Sequence, residues 1–255
     1  MMDLEICVDS VESAIAAEAG GAQRVELCSA LSEGGLTPSL GLIRAVRSRI
    51  GIGVSVMIRP RGGDFLYSDE EYSVMREDIA HATDAGANGV VFGLLTADGR
   101  VDVARTSRLV DDARRMEVTF HRAIDMAMDL EQSLEDIVKT GADRVLTSGA
   151  AQSAALGAER IAGLVRAATS RIGIMVCGNV RPENVQEIAQ ATGAREFHAA
   201  LRTAVASPVT YRNPGLSLGD PGSDEYTRHI VVAEDVRSLR QAMDEALSGN
   251  VKARI

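Results

Sequence analysis

Three features of the 255-residue sequence predict an α/β fold, a single-domain (β/α)8 TIM barrel over 1–255. Short apolar, β-branched runs alternate with longer helical patterns along the whole chain. Strand starts recur about every 20 to 35 residues, and eight such units are the number that closes a parallel barrel. Glycine follows many of the helices, where a left-handed residue ends the helix and leads into the next strand. A doubly wound open sheet is the structural alternative, but no GxGxxG opens the first unit.

The first unit reads as a strand near 4–8 and a helix near 11–19, stopped by Gly20-Gly21. The second has a strand near 24–28 and a helix near 39–49, which Thr37-Pro38 starts with a cap residue and a proline at the first helical position. A strand near 53–59 precedes a helix near 69–85, opened by a Ser68/Glu71 capping box and closed by Gly86-Ala87. The fourth and fifth units pair strands near 89–94 and 117–121 with helices near 103–115 and 131–140, the latter stopped by Gly141-Ala142. Strands near 143–147 and 172–177 precede helices near 157–169 and 183–192, and Gly193-Ala194 leads into the strand near 195–199. The last helix reads near 234–247. Between Ala206 and Arg228 the rhythm breaks: Pro208, Asn213-Pro214-Gly215 and Gly219-Asp220-Pro221-Gly222 interrupt any apolar period. A loop of that length in a compact domain is a lid, a partner contact or an ordered surface loop.

Composition limits the function classes. Apolar residues make up 45% and charged residues 25%, which suits a globular domain, and the net charge of -9 opposes nucleic acid and acidic membrane surfaces. There is no 18-residue apolar run, and MMDLEICVDS lacks the pattern of a signal peptide, so the expected location is cytoplasmic. Cys7, Cys28 and Cys177 each lie in a strand-like run, which suits free thiols or ligands in a reducing compartment. The two lysines, Lys139 and Lys252, fall in the fifth helix and the tail. Schiff-base chemistry, which needs a lysine at a strand end, is therefore excluded on this assignment.

In a (β/α)8 barrel, chemistry sits at the carboxyl ends of the strands and in the loops after them. Two strands carry the same triplet, Glu5-Ile6-Cys7 and Glu26-Leu27-Cys28. Period two turns each carboxylate and thiol to one face, and burying such groups costs several kcal/mol unless a site uses them. Neighbouring strands lie about 4.8 Å apart, so Cys7 and Cys28 can share a soft ion, Cu(I) or Zn, if the stagger is small. The plain alternative is two small core residues. His121 and His198 also fall at strand ends, where a general base or ligand belongs, whereas His81 falls in a helix and His229 after the long loop. Arg59 and Arg61, in Arg59-Pro60-Arg61-Gly62-Gly63-Asp64, offer forks for a small anion. An internal ion pair of Arg59 with Glu26 or Glu5 is the competing role. Asp64 and Asp125 complete the polar set at this rim.

The blocks EICVDS at 5–10, VELCSALSEGGLTPS at 25–39, VMIRPRGGDFLYS at 56–68, VTFHRAIDM at 118–126 and RVLTSG at 144–149 resemble the copper homeostasis protein CutC family. EFH at 196–198, YRNP at 211–214 and EY at 225–226 extend the resemblance over nearly the full chain. It implies a cytosolic (β/α)8 barrel, usually a homo-oligomer, that handles copper through the cysteines matching Cys7 and Cys28. Cys177-Gly178-Asn179 and Ala199-Ala200 depart from the family pattern. Two functions are thus expected: Cu(I) binding through Cys7 and Cys28, or turnover of a small anionic metabolite. In the second, Glu26, His121 and His198 would act as catalytic groups, with Glu5, Arg59, Arg61, Asp64 and Asp125 binding the ligand.

Overall fold

The computed structural model describes residues 2–213, 215, 216, 218 and 224–252, the side chains of 248–252 excepted. Its chain order is β1 (Asp3–Val8), α1 (Val11–Ala19), β2 (Arg24–Leu27), α2 (Leu40–Arg47), β3 (Gly53–Met57) and α3 (Asp69–Asp84). Next come β4 (Gly89–Phe92), α4 (Val103–Asp112), β5 (Glu117–Phe120), α5 (Leu130–Thr140), β6 (Arg144–Thr147) and α6 (Ala158–Ala168). The chain ends with β7 (Gly173–Val176), α7 (Val185–Thr192), β8 (Glu196–Ala199), β9 (Thr203–Ala206), β10 (Thr227–Ile230) and α8 (Ala233–Lys252). Strands β1 to β8 form a closed barrel, with β1 parallel to both β2 and β8. All eight predicted barrel strands and all eight helices are present.

Alternation along each strand divides the interior in two. Leu4, Ile6, Val25, Leu27, Val54, Val56, Phe92, Phe120 and Phe197 turn outward and are buried beneath the helices in one continuous apolar layer. Inside the barrel the residues are of another kind. Glu5 is opposite Arg24 and His198 in the parallel ladders, and Cys7 is opposite Glu26. Facing residues of neighbouring strands share a face, so the ladder alone groups these side chains.

The lower barrel is filled by ions. Arg24 donates from Nε to Glu5 Oε2 at 2.5 Å and lies 3.5 Å from Glu196, which also bonds Arg144. Glu5 is fully buried and its second oxygen bonds His198 Nδ1 at 2.8 Å. Burial alone would raise the Glu5 pKa, but the His198 hydrogen bond and the Arg24 charge outweigh it and hold the carboxyl at about 2.

Several sequence expectations are corrected. The strand ladders stop at Met57 and Phe120, so Arg59 and His121 lie just beyond them; His121 caps a short 3-10 helix, Arg122–Met126, that has no sequence periodicity to announce it. The ends of the 206–228 segment are not irregular: β9 and β10 pair antiparallel from Thr203↔Ile230 to Ala206↔Thr227, placing His229 in a strand. Their residues are mostly exposed, so no alternating apolar pattern marks them. The turn signals at Pro214 and at Gly219 to Gly222 lie outside the described residues. Helix α8 returns to the start of the chain, and its approach to α1 is so close that a Cβ on Gly20 would stand 2.4 Å from Val236 Cβ. Lys139 lies in α5, paired with Asp136, and Lys252 closes α8.

Replacing Glu5 by glutamine removes the charge that both Arg24 and His198 bond, leaving Arg24 with Glu196 at 3.5 Å and His198 with Glu26 at 3.9 Å. The expected cost is about 3–5 kcal/mol at neutral pH, read from urea unfolding. Because the carboxyl is held at about 2, the wild-type advantage is complete above the ordinary value of 4.5 and fades as pH falls from 4.5 toward 2. A Glu5→Gln difference that stayed constant across that window would contradict the role given to the ion pair.

Candidate functional site

A cavity of about 370 Å³ opens at the carboxyl end of the barrel, with Cys7, Glu26, Arg59, His121, Cys177 and His198 among its lining residues. These come from β1, β2, the loop after β3, the residue after β5, the residue after β7 and β8. Cys7, Glu26 and His198 are inward positions of the ladders, and Arg59, His121 and Cys177 continue the inward alternation one or two residues past them.

Its floor is a mixed cluster. Cys7 Sγ and Cys28 Sγ are 3.9 Å apart, so the two strands are staggered by less than would separate the thiols. Cys28 Sγ lies 3.5 Å from Glu26 Oε2, and His198 Nε2 lies 3.9 Å from the same oxygen. One donor atom each from Cys7, Glu26 and His198 fall within 4.8 Å of one another. Met57 and Val91 pack against the two sulfurs and keep the floor apolar.

Charge is distributed unequally in this cluster. The hydrogen bond with Cys28 is the largest influence on Cys7; with help from His198 it overcomes burial and brings the thiol down to about 5. Cys28, beside that thiolate and buried, is pushed up. Burial also drives Glu26 up to about 8, with the His198 charge opposing. Burial would lower His198, but Glu26, Cys7 and Glu5 surround it and hold it well above its ordinary value. Within the floor Cys7 is therefore the more acidic of the two thiols, Glu26 is held toward its neutral form and His198 toward its charged form. Glu5 takes the Nδ1 proton of His198 as an acceptor, which turns Nε2 toward Glu26 and Cys7.

The walls are basic. Arg59, Arg122, Arg181 and Arg202 line the cavity, and Glu26 is the one carboxylate among its described lining residues. In a chain of net charge -9 these four arginines gather at one cavity, with Arg122 paired to Asp125 and Arg202 3.6 Å from Asp9. Arg59 forms no ion pair with Glu5 or Glu26, the alternative weighed above against anion binding; it donates to the carbonyls of Glu33, Gly35 and Gly63. Glu5 has already been taken by Arg24 and His198, one layer below the cavity. His121 is neutral, since burial and then Arg59 push it down to about 3.

Three expected ligand-binding residues stand elsewhere. Arg61 turns away to Glu71 at 2.6 Å and Asp64 at 3.0 Å, outside the cavity. Asp64 and Asp125 border an adjacent groove that shares Arg59 and Phe65 with the cavity. Asp125 is occupied as a brace, accepting from Thr147 Oγ1, from the Ser148 and Ala150 amides and from Arg122. Sequence reasoning overlooked Arg24, Arg181 and Arg202. Arg24 is two residues before Glu26 and so shares its face, while the other two follow β7 and β8 in the loops where barrel chemistry collects.

The comparisons agree with this architecture. The model of the CutC family matches residues 2–203. A family protein CutC of Chromobacterium violaceum is 51% identical over 243 residues, covering 95% of this chain and 98% of its own. The human copper homeostasis protein cutC homolog is 47% identical, covering 92% of this chain and 87% of its own. A CutC crystal structure from Streptococcus agalactiae superposes with a TM-score of 0.73 at 35% identity, over 78% of this chain and 98% of that one. With the barrel, the paired thiols and these matches in hand, the chain belongs to the CutC family.

Proposed function

We propose that this protein binds Cu(I) in copper homeostasis, with Cys7 and Cys28 as thiolate ligands. The carrying observation is the 3.9 Å between the two sulfurs. With metal–sulfur bonds of about 2.3 Å, that separation corresponds to a bent S–metal–S angle near 115–120°, whereas a linear pair needs about 4.6 Å. A bent pair calls for a third donor. His198 supports this reading, because Glu5 fixes its ring with Nε2 on the side of Cys7 and Glu26. Thiolate and imidazole in an apolar floor favour a soft, low-charge ion. The three free cysteines fit a reducing, cytoplasmic setting, and none of the described helices is long and apolar enough to cross a membrane.

A second reading, an enzyme acting on a small anionic metabolite, is favoured by the four arginines around the cavity. Cys7, His198 and Glu26 would then move protons, and the arginine walls would hold the anion. We also infer a homo-oligomer, in which the exposed Val209, Tyr211 and Leu218 of the 206–228 segment meet another copy.

Anaerobic titration of the reduced protein against a chromophoric Cu(I) chelator should show one bound equivalent, lost in Cys7→Ser/Cys28→Ser. Glu5→Gln should retain it with affinity about 10–100-fold weaker, as expected when the partner of a ligating histidine is removed. Equal affinity in the wild type and the double variant would sink the copper reading. For the second reading, a small organic acid or phosphate should raise the melting temperature of the metal-free protein in a saturable way; no such ligand in a broad screen would remove it. Light scattering after gel filtration should give a multiple of 27.0 kDa, and a monomer would remove the oligomer.

A further inference from the structure

Two buried donors of the cavity wall, Arg59 Nε and His121 Nε2, form no hydrogen bond, although the buried Tyr67 hydroxyl, itself without a partner, stands near the Arg59 guanidinium. Arg59 is 5% exposed; its Nη1 donates to the Glu33 and Gly35 carbonyls at 2.6 and 3.2 Å, its Nη2 to Gly63 at 2.8 Å, and its Nε to no acceptor. Carbonyl dipoles aim a guanidinium without cancelling its charge, and no carboxylate pairs with Arg59 among the described residues. His121 is 4% exposed and accepts the Ala123 amide at Nδ1, 3.2 Å away. Its single proton is therefore on Nε2, and that atom also has no partner.

The two groups flank one aromatic ring. Phe65 has its ring centre 5.1 Å from the Arg59 guanidinium carbon and 4.9 Å from the centre of the His121 ring. Gly93 makes this placement possible, since a Cβ there would stand 2.6 Å from His121 Nδ1. Buried donors are nearly always satisfied in folded proteins, so two unsatisfied ones at a single cavity point to a ligand that completes them.

We propose that Arg59 and His121 form a two-donor seat for the carboxylate or phosphate group of a compact metabolite, with Arg59 Nε–H and His121 Nε2–H as its hydrogen-bond donors. The proposal rests on the reading that the cavity takes an anion, and it is independent of copper. It assigns His121 the role of a neutral donor that polarises an oxygen, not that of a base. The cavity volume of about 370 Å³ restricts the ligand to a small molecule.

The test uses the metal-free, reduced full chain titrated calorimetrically with oxalate, pyruvate and inorganic phosphate, while nitrogen NMR follows the His121 imidazole. At least one of the three should bind saturably and shift the Nε2–H signal of His121. His121→Phe and Arg59→Lys, each first shown to be folded by urea unfolding, should bind that ion about tenfold or more weakly, the scale of a hydrogen bond with a charged partner. Response to the two carboxylates alone or to phosphate alone identifies the source of the oxyanion. Binding that leaves the His121 signal unmoved and both variants unaffected would overturn the seat while sparing the anion reading. Failure of all three ions to bind would overturn the seat, whereas the anion reading falls only if the broad ligand screen also finds nothing.

Discussion

Glu5 is the constraint on which the upper barrel depends. It is fully buried, and its two oxygens are divided between Arg24 below and His198 beside it. The first contact, with Glu196 at 3.5 Å as a second partner, compensates a guanidinium inside the barrel, and the second sets the direction of a histidine in the cavity wall. A hydrophobic residue of similar size could fill the space, and buried pairs often yield nothing in stability to such a replacement. What it could not do is orient His198. The ion network is therefore best understood as a positioning device for the floor above it.

Above that network the cavity separates two kinds of chemistry. The floor is soft: two thiols packed against Met57 and Val91, Cys7 the more acidic of them, beside His198 and a Glu26 that burial holds toward its neutral form. The wall is hard and positive, with Arg59 held by carbonyls and His121 kept neutral beside it. The pocket therefore sets hard, basic groups in its wall apart from soft groups in its floor. The separation follows from chain position, since floor groups belong to strands or, for Cys28, to the first residue after one, and wall groups to the loops that follow.

The barrel was legible because two periods of sequence carry it: aliphatic residues at alternate positions of each strand, and glycines where each helix ends. The Glu-x-Cys triplets were legible for the same reason. Arg61 was not, because a fork beside a double glycine reads alike whether it faces a ligand or folds back on Glu71, and only the course of the loop decides. Arg24 was missed because it precedes the triplet, and its meaning depends on Glu5 across the ladder and Glu196 two strands away. The β9–β10 hairpin left no pattern, since neither strand buries a face. Sulfur separation is likewise a property of stagger between strands, which no single strand encodes.

The closure of the barrel has a consequence for biosynthesis. Cys7 and Cys28 emerge early from the ribosome, whereas His198 arrives 193 residues after the Glu5 that orients it. The two thiols are close in sequence, 21 residues apart, whereas the imidazole reaches them only when strand β8 docks against β1. A nascent chain thus offers two unoriented sulfurs, and the finished floor appears only when the last barrel strand zips the circle shut. Competence of the site and completion of the fold are the same event.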